Sequence, residues 1–207
     1  MADAPEPLVL IVSGPSGSGK STLVQKLLEL PDTLFSISCT TRSPRPSERP
    51  GEWYNFVSVE EFERMVERGE FLEYARVFEK HYYGTPRRWL DEARAQEKDL
   101  VLEIDVQGAA QVKEKRPEAI AIFILPPSQE ALENRIRERG QDSAEEIARR
   151  LRRAREELQR YAEYDYIVVN DDLERAGREV QAIALAARCR DARDRKRLRW
   201  ILDSFGG

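Results

Sequence analysis

Nine consecutive residues constrain this chain more than any others: Gly14-Pro15-Ser16-Gly17-Ser18-Gly19-Lys20-Ser21-Thr22. They fit G-x-x-x-x-G-K-[ST], a loop that wraps oligophosphate only when a buried strand feeds it and a helix leaves it. Both neighbours are present. Leu8-Val9-Leu10-Ile11-Val12 reads as a strand buried on both faces, and Leu23, Leu27, Leu28 and Leu30 form an apolar helical stripe. Orphan N–H groups at the helix start and the positive end of its dipole attract anions. Gly14, Gly17 and Gly19 let the backbone approach phosphate where a Cβ would clash. In such a loop Lys20 reaches the β- and γ-phosphates of a nucleoside triphosphate, and the Ser21 hydroxyl ligates Mg²⁺.

The 207 residues suffice for one substantial core with a small insertion. Lys and Arg total 34 against 38 Asp and Glu, a formal net charge of −4. That balance argues against a general binder of nucleic acid or anionic membrane. No apolar run has the length of a membrane span, and Met1 to Pro7 lacks the layout of a secretion signal. The two cysteines, Cys39 and Cys189, form no metal or redox spacing, so the expected compartment is a reducing cytoplasm.

Further along, Leu34 to Cys39 reads as a second strand. The stretch from Thr40 to Gly51 carries three prolines and three arginines, and is predicted as a stiff loop presenting cations. Tyr54 to Val57 reads as a short strand. Ser58-Val59-Glu60-Glu61 reads as a capping box opening a helix with Val59, Phe62, Met65 and Val66 inward, ended by Gly69. Phe71 to Phe78 reads as a strand, Glu79-Lys80-His81 as a turn, and Pro86 as the start of a helix. Alternation then returns: a strand from Leu100 to Asp105, a helix from Val106, a strand from Ala119 to Leu125, and a helix from Ser128 stopping near Gly140. A second capping box at Ser143-Ala144-Glu145-Glu146 opens a helix running to about Glu163. The strand Tyr166 to Val169 and a helix from Leu173 complete the pattern. Strands separated by helices predict an α/β fold with a central parallel sheet covered on both faces, the strand-rich middle being an inserted lobe.

Phosphoryl transfer needs negative charge neutralised and two oxygens brought into line. Arg42 and Arg45, near Tyr54, could fork onto a second phosphate. Arg135 and Arg139 share a helix face, and Arg149, Arg150, Arg152 and Arg153 follow a short link, a layout suited to a closing lid. Asp105 ends an apolar strand and is a candidate for Mg²⁺ or its water shell; capping the following helix is the alternative. Glu103 would share its strand face. His81 is the single histidine, so no obvious general base stands ready. A phosphomonoester, with a second pKa of about 6, needs none.

With these residues in view, the chain resembles guanylate kinases from Leu8 to about Ala186. The resemblance rests on the loop Gly14 to Thr22, on Ser36 to Arg45, and on Gly51 to Val57. It continues through Glu70 to Glu73, Tyr82 to Thr85, Leu102 to Gly108 and Val169 to Leu173. It implies a P-loop three-layer fold: a core at about 8–37, 86–138 and 148–190, a GMP-binding lobe at about 38–85, a helical lid at about 139–147, and a tail at 191–207. The implied reaction is ATP + GMP giving ADP + GDP with Mg²⁺, dGMP being a further possible acceptor. By matching positions, Arg42, Arg45, Tyr54 and Tyr83 hold the GMP phosphate, while Ser38, Glu73, Thr85 and Asp105 read guanine. Lys20, Arg42, Arg135, Arg139 and Arg150 are the catalytic cations, and Asn170 joins the loop residues Gly14 to Thr22 around ATP. Ser21 holds the metal, with Asp105 acting through water. No nucleic acid or membrane partner is expected, and monomer and homodimer both stay open. The turn at Glu79-Lys80-His81 is one residue longer than usual in the family, and Ser47 replaces a common glycine. Trp200, Ile201 and Phe205 on the tail are expected to pack on the body, with self-association the alternative.

Two rivals share the pattern. A non-catalytic scaffold module of this fold would lack the loop lysine and glycines. A kinase for ribose 1,5-bisphosphate would not need Ser38, Glu73 and Thr85. A GTP-hydrolysing switch would carry an Asn-Lys-x-Asp guanine signature, which does not occur.

Overall fold

A computed structural model describes residues 6–45, 48–77, 80–138, 143–190 and 195–205. Five strands build the central sheet: β1 (Val9–Ser13), β2 (Thr33–Phe35), β7 (Asp99–Glu103), β8 (Ile120–Leu125) and β9 (Tyr166–Val169). Their order is β2-β7-β1-β8-β9, and every pairing is parallel. Successive β1 side chains point to opposite faces. Leu10 and Val12 pack with Leu23, Val24 and Leu27 of α1 (Lys20–Leu28) and with Val180 and Ala184 of α7 (Leu173–Arg190). Val9 and Ile11 face the other way, onto Leu90 and Ala93 of α3 (Arg88–Ala95) and Ala109 and Val112 of α4 (Val106–Lys115). Both faces are therefore covered, which is why these strands read as unbroken apolar runs.

Four strands make a second sheet in the order β4-β3-β6-β5: β3 (Ser38–Thr40), β4 (Tyr54–Phe56), β5 (Phe71–Val77) and β6 (His81–Pro86). Only β3 and β4 run parallel; β6 is antiparallel to β3 and β5. The helix α2 (Val59–Glu67) covers it through Phe62, which stacks on Phe71 and Tyr82 at ring-centroid distances of 4.5 and 5.2 Å. Ser58 caps this helix by accepting from the Glu61 N–H at 3.1 Å, and Gly69, at φ 66°, ends it. The helices α5 (Gln129–Glu138) and α6 (Ala144–Leu158) pack through Leu132, Ile136, Ile147 and Ala154. A reciprocal capping box of Ser143 and Glu146 opens α6.

Several local expectations are corrected. Residues 34–39 do not form one strand: β2 belongs to the central sheet, β3 to the second, and the chain crosses at Ser36-Ile37. Pro86 ends β6 opposite Phe71 instead of opening a helix: the ladder is irregular there, with a bulge between Phe71 and Glu73, so no N–H is needed, and the helix begins at Arg88. His81 begins β6 rather than lying in the turn. Val59 is exposed, because the apolar face of α2 starts one turn later. The helix expected to reach Glu163 stops at Leu158, and a short 3₁₀ turn spans Tyr161–Glu163. The tail forms α8 (Arg195–Ser204), but Trp200 and Phe205 are 73% and 84% exposed, so these two do not pack on the body. Ser47, Glu79, Arg139 and residues 140–142 of the expected lid lie outside the described residues. Among the described residues no helix is long and apolar enough to cross a membrane.

Candidate functional site

The Gly14–Thr22 loop leaves β1 and enters α1, as the motif requires. Gly14, at φ 137°, lies so close to β8 that a Cβ would stand 2.4 Å from the Ile124 carbonyl oxygen. Gly19, at φ 91°, would place a Cβ 2.1 Å from the Asn170 amide nitrogen. That amide is buried and donates to the Ser18 carbonyl at 2.8 Å, while Arg135 donates to the Asn170 carbonyl at 2.8 Å. Asn170 and Arg135 thus brace the loop from the β9 and α5 side. Lys20 folds over the loop, its Nζ donating to the carbonyls of Gly14 and Pro15 at 2.7 and 3.0 Å. The Ser21 hydroxyl donates to Glu103 Oε1 at 2.8 Å.

Across from the loop stands the second sheet's cation cluster. Arg42 donates from Nε to the Tyr83 hydroxyl at 3.0 Å, from Nη1 to the Ser43 carbonyl at 2.7 Å, and from Nη2 to Glu48 at 2.9 Å. Its guanidinium lies 5.6 Å from the Tyr54 ring centroid, and Tyr54 meets Tyr83 edge to face at 5.7 Å. Burial, reinforced by the Glu103 carboxylate, pushes the Tyr54 phenol up, so it remains a hydroxyl donor near neutral pH.

A buried carboxylate closes the far end. Glu73, on β5, accepts at Oε1 from the Thr85 N–H at 3.0 Å and the Thr85 hydroxyl at 2.6 Å. Ser38 Oγ lies 3.4 Å from the Thr85 hydroxyl. Burial first, then the charge of Asp105, pushes the Glu73 carboxyl up to about 7 against the pull of the Thr85 bonds. Gly108 in α4 makes room for it: a Cβ there would sit 2.3 Å from Glu73 Oε2.

One cleft of about 220 Å³ joins the three clusters, walled by Lys20 and Ser21 at the loop end and by Ser38 and Glu73 at the other. Arg45, Tyr54, Tyr83, Asp105, Arg150 and Arg153 also line it. Thr22, Gly19, Arg135 and Asn170 face a separate hollow of about 420 Å³ on the other side of the loop. Of the expected site residues, Ser16 and Gly17 also line the cleft, and Arg42 and Thr85 are bonded to its wall. Arg139 lies outside the described residues.

The arrangement corrects one register. Asp105 and Glu103 do not share a strand face, because β7 ends at Glu103 and Asp105 caps α4, its Oδ1 accepting from the N–H groups of Gln107 and Gly108 at 3.1 and 2.9 Å. Glu103 is therefore the carboxylate beside Ser21. Asp105 Oδ2 instead meets Arg153 at 3.1 Å, and Arg153 Nε donates to Glu157 at 2.7 Å. Burial pushes the Glu157 carboxyl up despite that bond. The sequence reading does not single out Glu48 or Glu157, and takes Arg153 only as one of a run of lid arginines. Glu157 stands four residues from Arg153 on the same helix, while the contact of Arg153 with Asp105 exists only in the folded chain.

A family model described as guanylate kinase matches residues 6–187. The chain belongs to the guanylate kinase family. It is 52% identical over 191 residues to a guanylate kinase of Myxococcus xanthus, covering 91% of both chains. To the guanylate kinase of Escherichia coli K12 it is 50% identical over 190 residues, covering 90% of this chain and 91% of that one. A crystal structure of guanylate kinase from Anaplasma phagocytophilum superposes with a TM-score of 0.74 at 36% identity, covering 88% of this chain and 86% of that one. A guanylate kinase is a nucleoside monophosphate kinase, and the two-sheet α/β architecture is that of the family.

Proposed function

We propose that the chain transfers the γ-phosphoryl group of ATP to GMP, yielding ADP and GDP in the cytoplasm. The observation that carries this reading is the single cleft: a phosphate loop with its lysine, a tyrosine–arginine cluster for a second phosphate, and a buried acceptor for a base all open into it. In this reading Lys20 exchanges the Gly14 and Pro15 carbonyls for phosphate oxygens, and Arg150 joins it. Arg45, Tyr54 and Tyr83 hold the acceptor phosphate, already largely a dianion near neutral pH, in line with the donor. No general base is then required.

Guanine is distinguished by its N1–H and N2–H₂ donors, which suit Glu73; adenine offers an acceptor at N1 and would leave the carboxylate unmatched. One unmatched buried group costs about 1–3 kcal/mol, so a few contacts select GMP over AMP by orders of magnitude. The Ser21 hydroxyl and Glu103 carboxylate, 2.8 Å apart, suit a hard cation. Mg²⁺ held there with phosphate oxygens would neutralise charge on the transferring group. Free Cys39 and Cys189 agree with a reducing compartment.

The test is ADP release from Mg-ATP with GMP, dGMP, AMP, CMP, UMP or ribose 1,5-bisphosphate as acceptor. Turnover with GMP far above AMP is expected; ribose 1,5-bisphosphate as the preferred acceptor, or no turnover at all, would overturn the reading.

A further inference from the structure

Glu48 lies within the arginine loop and makes four contacts with two of its three arginines, Arg42 and Arg45. Its Oε1 accepts from Arg42 Nη2 at 2.9 Å and lies 3.5 Å from Arg45 Nη1. Its Oε2 accepts from the Arg45 backbone N–H at 2.8 Å, and its own N–H donates to the Arg45 carbonyl at 3.0 Å. Side chain and backbone thus bind the same residue from both sides, in a turn one step away from the cleft. The carboxylate is largely buried, at 15% exposure, as is Arg42 at 16%. Burial opposes its charge, but the bonds from Arg42 and Arg45 outweigh that and keep the carboxyl below the usual glutamate range.

Without a fixed anion between them, two guanidiniums aimed at one phosphate would repel each other and drift apart. A phosphate dianion must then supply both the attraction and the ordering of two long side chains, which weakens binding. We infer that Glu48 is a positioning residue for the acceptor's phosphate: it clamps Arg42 and Arg45 at a set spacing before any phosphate arrives. The clamp uses one Nη of each arginine. Arg42 Nε is engaged by the Tyr83 hydroxyl, tying the clamp to a cleft-lining ring, while Arg45 itself lines the cleft. The incoming phosphate meets an array that is already ordered. This inference rests on the acceptor being a nucleoside monophosphate, and goes beyond that reading in assigning a role to a carboxylate that would touch no substrate.

The experiment compares Glu48→Gln with the unaltered full chain, using two probes that differ only in the phosphate. Calorimetry measures binding of GMP and of guanosine; initial rates give KM for GMP, KM for ATP and kcat. Loss of a charge-assisted pair predicts a KM for GMP raised by about ten-fold or more. Guanosine affinity and the KM for ATP should stay within about two-fold, because the base pocket and the loop are not part of the clamp. Glu48→Asp, which keeps the charge at shorter reach, should recover part of the loss. An unchanged KM for GMP would overturn the inference. So would tighter GMP binding, which would make Glu48 a competitor for the arginines, and so would equal losses for GMP and guanosine, which would mark a general loss of structure. If the unaltered chain binds GMP no better than AMP, the guanine reading itself has failed, an outcome distinct from failure of the clamp.

Discussion

Glu73→Gln should make the empty protein more stable and the working enzyme worse, and the two effects have one cause. An ordinary glutamate carboxyl titrates at 4.5, but Glu73 is pushed up to about 7 by its burial and by Asp105. As pH rises, the unfolded chain therefore releases this proton before the folded one does. Stability contributed by the protonated form is present below about pH 4.5 and is lost as pH climbs to about 7. Each pH unit in that interval is worth about 1.4 kcal/mol, so the ionised Glu73 costs the empty fold about 3 kcal/mol at pH 8. Glutamine carries no such cost at any pH, and its carbonyl oxygen can still accept both Thr85 bonds. Thermal unfolding of the two proteins, followed by circular dichroism, should give midpoints that diverge with pH. Between pH 5 and pH 8 the variant should gain about 2–3 kcal/mol on the wild type, or roughly 5–10 °C for a chain of this size. Over the same range, kcat/KM for GMP in the variant should be lower by about 5- to 150-fold, the cost of an unmatched buried donor. As pH drops below 7 the KM for GMP should rise more steeply in the wild type than in the variant, which keeps only the rise that follows the GMP phosphate's own second pKa of about 6. Unfolding midpoints that run parallel from pH 5 to pH 8 would refute the account of Glu73 as a desolvated carboxylate.

Three further outcomes are expected. Lys20→Ala should lower kcat by two to three orders of magnitude, roughly the cost of one charge-stabilising donor, while calorimetry finds GMP binding unchanged. Gly108→Ala should raise the KM for GMP but not for ATP, because the new Cβ would sit 2.3 Å from Glu73 Oε2 and must displace it. Glu103→Gln should raise the Mg²⁺ concentration needed for half-maximal rate by about 10- to 100-fold, measured by titrating activity with MgCl₂ at fixed ATP.

Much of the scaffold was legible because its signals are local. The phosphate loop, the double capping box at Ser143 and Glu146, and the glycine stop at Gly69 each depend on residues within a few positions. The apolar runs of β1, β7 and β8 announced a sheet buried on both sides for the same reason. The break at Ser36-Ile37 was hidden, since apolar residues on both sides of it are inward, yet in different sheets. Counting strand alternation past the end of β7 put Asp105 on the face of Glu103, whereas the strand stops at Glu103 and Asp105 takes the helix-cap role that was its alternative. The resemblance to a family supplied what spacing alone could not: which hydroxyls and carboxylates converge on a base.

Sequence by itself therefore determined the nucleotide loop, the α/β alternation and the stock of arginines, because propensity, capping and hydrophobic period act over one or two turns of chain. The spacing of Arg42 and Arg45 by Glu48, the burial that lifts Glu73, and the choice of Glu103 over Asp105 beside Ser21 were decided only in three dimensions. Each depends on how far a charge stands from water and from another charge, and those distances exist only once separate segments have packed together.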